Sequence, residues 1–143
     1  MKKKDIVALP EREVVKFVLG FFAFDKNVRV WRRNVGAIQV RESGFVRFGE
    51  PGQSDIFGLI REARCPYCHR LTGAGVHLEI ECKAVGGRLS PAQIEYQKEI
   101  RKYGGIAITA IPKPTPDDPT GFNSLTKSLQ TLSEIPCSKC AER

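Results

Sequence analysis

The sequence predicts an α/β protein with a central mixed β-sheet flanked by helices, and three features carry that prediction. Apolar residues recur at helical spacing over 11–24, strict alternation fills 76–84, and a Ser-Pro-Ala-Gln helix start at 90–93 precedes another strand-like run at 106–111. The resulting order of helix, strands, helix and strand is that of an α/β fold.

Each element has its own local reason. Val14, Val15, Phe17, Val18, Phe21 and Phe22 make the apolar stripe of the first helix, which Pro10 and an acidic first turn open. Between 28 and 48, β-branched and aromatic residues come in short runs broken at Asn34, Gly36 and Ser43-Gly44, as in short strands and a hairpin. Residues 54–60 read as a core strand, and 64–75 interrupt the sheet with two cysteines. The next strand sends Val76, Leu78, Ile80, Cys82 and Ala84 to one face and His77, Glu79, Glu81 and Lys83 to the other. Ser90 is the N-cap of a second helix, with Pro91 at its first position and Gln93 three residues after the cap. That helix runs to about 103 and stops at Gly104-Gly105. A linker with Pro112, Pro114, Pro116 and Pro119 leads to a last helix over about 122–132 and a cysteine-containing tail, and no internal repeat is present.

A chain of 143 residues, 41% hydrophobic and 27% charged, suits one domain with a real core, placed here at about 11–111. The net charge of +7 (23 Lys and Arg against 16 Asp and Glu) favours a polyanionic partner without choosing among DNA, RNA and anionic lipid. The apolar run after the N-terminal lysines is too short for an export signal, and no run approaches the ~20 residues of a membrane helix. The chain therefore reads as a soluble, intracellular, cytoplasmic protein with reduced thiols.

The ionisable face at 76–84 is either merely solvated or a reaction site. Glu81 and Lys83 stand side by side on it, and if Asp55 lies opposite, two carboxylates would hold a hard divalent ion through oxygen ligands. Such an ion lowers the pKa of a bound water and stabilises charge on a phosphate, while Lys83 orients the water or neutralises the phosphate. That is the chemistry of phosphodiester hydrolysis. The bland alternative is a wet sheet face joined by weak cross-strand ion pairs.

Gly52-Gln53-Ser54-Asp55-Ile56, then Glu81-Cys82-Lys83, then Gly87-Arg88-Leu89-Ser90-Pro91-Ala92-Gln93 and Gly104-Gly105 resemble, in order, the VRR-NUC family of the PD-(D/E)XK nuclease superfamily, in its stand-alone form. Upstream, Trp31-Arg32-Arg33-Asn34-Val35-Gly36 is similar to that family's Arg-Asn-Gly element. The resemblance implies a restriction-endonuclease-like core in which Asp55, Glu81 and the backbone carbonyl of Cys82 bind magnesium or manganese and Lys83 is the catalytic lysine. It also implies a role for Gln93 and for a first-helix glutamate, assigned to Glu13 with Glu11 as second choice. Gln93 equally suits a capping box, and Glu13 equally complements the helix dipole. Glu79 lies one step from the family position and reads as a supporting or surface group.

Cys65-Pro66-Tyr67-Cys68 and Cys137-Ser138-Lys139-Cys140 are two C-x-x-C pairs, enough for a four-thiolate structural zinc. One zinc would clip the tail, 136–143, onto the insertion at 64–71; free thiols or disulfides are the alternative. Cys82 faces the core as an inert thiol. Arg32, Arg33 and Asn34, with Arg41, Arg47 and Arg88, flank the proposed site as candidate nucleic-acid contacts, although ordinary solvation explains any one of them. No base-reading helix is evident, so selection of DNA structure rather than sequence is expected. The expectation is thus a magnesium- or manganese-dependent DNA nuclease with a structural zinc. Its rivals are a dimeric endonuclease resembling Holliday-junction resolvases, whose paired cuts need a symmetric homodimer, and a non-catalytic, zinc-stabilised nucleic-acid-binding module.

Overall fold

A computed structural model of the chain describes residues 6–34, 36–42, 44–71, 75–134 and 140. Its elements run α1 (Glu11–Phe22), β1 (Val28–Arg32), β2 (Gly36–Val40), β3 (Gly44–Phe48), β4 (Ile56–Ile60), β5 (Val76–Cys82), α2 (Pro91–Lys102), β6 (Ile106–Ala110) and α3 (Phe122–Gln130). The α/β class and the mixed sheet are as the sequence predicts. Four strands form the main sheet in the order β1-β4-β5-β6, antiparallel except for the β5–β6 pair, which is parallel with α2 between its strands in the chain. β2 and β3 pair only with each other, as a separate hairpin. The sequence signals the hairpin but not that it stands apart, because alternation says nothing about which sheet a strand joins.

The apolar stripe of α1 delivers Val14, Val15, Val18 and Phe22 onto the sheet face that carries Ile56, Ile60, Leu78 and Ile80, and all eight are buried. At about 1.5–3 kcal/mol for each fully buried aliphatic side chain, this layer is the main stabilising term. α3 closes the same layer with Leu125 and Leu129, while Phe122 at its start stacks on Phe17 of α1 at 4.3 Å. α2 covers the opposite face. Its N-terminus is the expected capping box: Ser90 Oγ accepts from the Gln93 N–H at 3.2 Å, and Gln93 Oε1 accepts from the Ser90 N–H at 2.8 Å. Its end is marked by Gly104 at φ +84°, where the Gly104 and Gly105 N–H groups return to the Arg101 and Ile100 carbonyls. Among the described residues no helix is long and apolar enough to cross a membrane.

Candidate active site

The ionisable face of β5 is dry at its centre, although His77 at its start is exposed. Glu79 is 0% exposed and Glu81 3%, and Tyr96 and Gln93 of α2 reach them. Sheet register explains what meets there. Phe57 pairs with Glu79 and Ile56 with Ile80, so Asp55, just before β4, falls opposite Glu81, with Thr109 of β6 on its other side. The Arg33 N–H donates to the Asp55 carbonyl at 2.7 Å and the Cys82 N–H to Asp55 Oδ2 at 2.8 Å, which holds this carboxylate against the end of β5.

Three carboxylates converge at this end of the sheet. One oxygen each from Glu11, Asp55 and Glu81 lies within 4.8 Å of the other two. Glu11 is the first residue of α1, so the first-helix glutamate at the site is the second choice of the sequence reading and not Glu13. Residues two positions apart in a helix are about 200° apart around its axis, so Glu11 and Glu13 cannot share a face. Glu13 instead pairs with Lys16 at 3.1 Å and lies 3.8 Å from Arg12.

Glu81 is the pivot of the cluster. Its Oε1 accepts from Gln93 Nε2 at 2.6 Å and meets Lys83 Nζ at 3.2 Å. Its Oε2 is buried with no hydrogen-bond partner among the described residues. Burial, and then the charges of Asp55 and Glu11, push its carboxyl up to about 7 against the opposing pull of Lys83. An acceptor left unsatisfied in the interior costs about 1–3 kcal/mol, and a hard cation among three carboxylates would both satisfy it and remove the repulsion. The donor set is all oxygen, as magnesium and manganese prefer.

The remaining expected residues are brought to the same place. Lys83 follows β5 directly, its N–H continuing the parallel ladder to the Ala110 carbonyl at 3.0 Å and its side chain mostly covered. One Gln93 amide makes the cap that the sequence predicts, accepting from the Ser90 N–H with its oxygen, and donates to Glu81 with its nitrogen. Gly52, at φ +82°, brings the Gln53-Ser54-Asp55 segment against the first turn of α2 so closely that a Cβ there would lie 2.2 Å from the Ala92 carbonyl oxygen. Any side chain at 52 would push Asp55 and Gln93 apart.

Beside this cluster lies a second network that the sequence did not foretell. Glu79 receives Arg33 through both guanidinium nitrogens at 2.6 and 2.9 Å, Tyr96 Oη at 3.0 Å and His77 Nε2 at 2.8 Å. Burial acts to raise the Glu79 carboxyl, but these hydrogen bonds and the Arg33 charge outweigh it and hold it below the usual carboxylate range. Arg33 also donates to the Ser54 carbonyl at 3.2 Å and lies over the Phe57 ring at 4.8 Å. As a candidate phosphate contact Arg33 is therefore corrected, since its guanidinium is committed to Glu79, and of the two readings of Glu79 the supporting group is the one observed. Gln97, also unforeseen, donates to Thr109 Oγ1 at 3.0 Å. Positions 93, 96 and 97 have helical i, i+3, i+4 spacing, so a polar stripe on α2 was the available signal.

Arg32, Asn34, Arg41 and Arg88 are exposed, as phosphate contacts must be, while the side chain of Arg47 lies outside the described residues. Cys82 is fully buried, and burial followed by the Asp55 and Glu81 charges pushes its thiol up, so it is the inert thiol expected. Cys65, Cys68 and Cys140 bring their sulfurs within 4.8 Å of one another, and Cys137 lies outside the described residues. An open groove of about 710 Å³, lined by Leu19, Phe22, Trp31, Leu59 and Arg61 among others, sits at the far end of β4 and β5 from the carboxylates.

No family model matches this chain, and no curated protein matches it.

Proposed function

We propose that the chain is a divalent-metal-dependent nuclease that hydrolyses DNA phosphodiester bonds, resembling the VRR-NUC family and selecting DNA by structure rather than sequence. The observation that supports this most is the buried Glu81 Oε2, without a hydrogen-bond partner among the described residues, within a cluster of three carboxylates that also contains a lysine and a glutamine. Glu11, Asp55 and Glu81 would hold magnesium or manganese, with the Cys82 carbonyl as the backbone ligand that the family resemblance adds. Bound there, the ion supplies Lewis-acid stabilisation of phosphate charge and a more acidic water.

The chain's own groups have definable tasks around it. Gln93 and Lys83 fix Glu81 through one oxygen and so leave the other for ligation. Lys83, next to the carboxylates and largely shielded from water, neutralises charge on the scissile phosphate or orients the attacking water. The Cys82 N–H holds Asp55 in place, so the ligand geometry is set before substrate arrives. Arg32, Arg41 and Arg88, on a chain of net charge +7, provide phosphate contacts outside the chemistry.

The test is incubation with branched, single-stranded and duplex DNA in manganese, beside Asp55→Ala and Lys83→Ala variants purified identically. Cleavage by the parent and by neither variant supports the proposal, and symmetric nicks on a four-way junction would identify a dimeric resolvase. Equal activity in all three, or salt-dependent binding with no cleavage, would replace it with a nucleic-acid-binding module.

A further inference from the structure

The cysteine cluster lies outside the acidic centre and shares no residue with it. We propose that Cys65, Cys68 and Cys140 bind a zinc ion that clips the segment after α3 onto the loop between β4 and β5. Their sulfurs lie within 4.8 Å of one another. Zinc–thiolate bonds of about 2.3 Å place the sulfurs of a tetrahedral site about 3.8 Å apart, so the three need only a small contraction to close on one ion. A disulfide would use two of the three and leave the third behind.

The backbone around the sulfurs is already formed. The Cys65 N–H donates to the Arg70 carbonyl at 2.9 Å and the His69 N–H to the Cys65 carbonyl at 2.9 Å, which folds the C-x-x-C segment into a tight turn with His69 at φ +60°. Arg64 closes that turn through its guanidinium to the His69 carbonyl at 2.8 Å and bridges to Leu71. The same residue joins the C-terminal segment, donating its N–H to the Ser133 carbonyl at 2.8 Å and bridging to Glu134. Two thiols thus sit on a preformed turn, and the chain that carries the third is stitched beside it. Cys65 is 1% exposed and Cys140 9%, while Cys68 lies at the surface, so two of the three thiols are closed off from solvent, as in a structural zinc site.

The experiment uses the full chain, purified without chelator. Elemental analysis should find about one zinc per chain, and Cys65→Ser and Cys140→Ser should each lose it. Either variant can shed metal by losing its fold, so the parent carries the decision: exchanged with cobalt, it should show the intense thiolate-to-metal absorption and visible bands of a tetrahedral site. Thiol titration in denaturant with chelator and without reductant should recover all five cysteines. Two missing thiols with no zinc would overturn the proposal in favour of a disulfide; iron in place of zinc, or no metal and no cobalt spectrum, would also overturn it. None of these readouts depends on nuclease activity.

Discussion

Glu79 and Glu81 stand two residues apart on one face of one strand, both buried, and the protein treats them in opposite ways. Glu79 has both oxygens engaged, faces a guanidinium held in a fork, and stays ionised. Glu81 faces two other carboxylates, has one buried oxygen with no partner among the described residues, and holds its proton up to about 7. A buried charge that is fully paired belongs to the scaffold, whereas a buried carboxylate with one bare oxygen leaves an acceptor open. The two roles depend on each other, because Arg33, held by Glu79, also holds the Ser54 carbonyl and the Asp55 backbone.

The contrast is sharpest in activity. Lys83→Ala or Asp55→Asn should lower manganese-dependent cleavage by on the order of 100-fold or more with folding largely retained, as measured by initial rates and thermal melts. Glu79→Gln should do the reverse, losing stability first. It leaves Arg33 without its carboxylate in a largely covered position, which costs about 3 kcal/mol and roughly 10 °C in Tm.

pH separates the two residues by sign. The folded chain holds the Glu81 proton more tightly than the unfolded one, whose carboxyl titrates near 4.5. Stability from this group is therefore complete below pH 4.5 and lost as pH rises through about 7, by up to about 3 kcal/mol in metal-free protein. Manganese should flatten that loss, and Glu81→Gln should abolish it. Glu79, held below its ordinary value, contributes stability present above about pH 4.5 and lost as acid protonates it. Denaturant melts across pH, with and without manganese, check both slopes; a Glu81→Gln curve matching the parent's would break the comparison.

Smaller effects refine the ligand set. Glu11→Gln should weaken manganese binding about tenfold by calorimetry, equivalent to about 1.4 kcal/mol, whereas Glu13→Gln should leave it unchanged. Ser90→Ala and Gln93→Ala should each cost about 1 kcal/mol through the lost cap. Only Gln93→Ala should also slow cleavage, since only Gln93 reaches Glu81.

The boundary between what was legible and what was not follows the range of the interactions. The sequence by itself determined the helices, the strands, the capping box at Ser90 and the placing of Glu81 and Lys83 at the end of a strand, because periodicity and caps act over a few residues. It also separated Glu11 from Glu13 on the helix surface without saying which one faces the sheet. That choice, like the pairing of Arg33 with Glu79 and the approach of Cys140 to Cys65, was decided only by tertiary structure. Each depends on how a helix is rotated, how a strand is registered or where a distant segment docks, and those are fixed by burial of the shared core, not by the residues that meet as a result. The polar face of β5 shows this most plainly: alternation marks it as ionisable, but only the docking of α2 buries Glu79 and Glu81, and burial is what acts most strongly on their carboxyls.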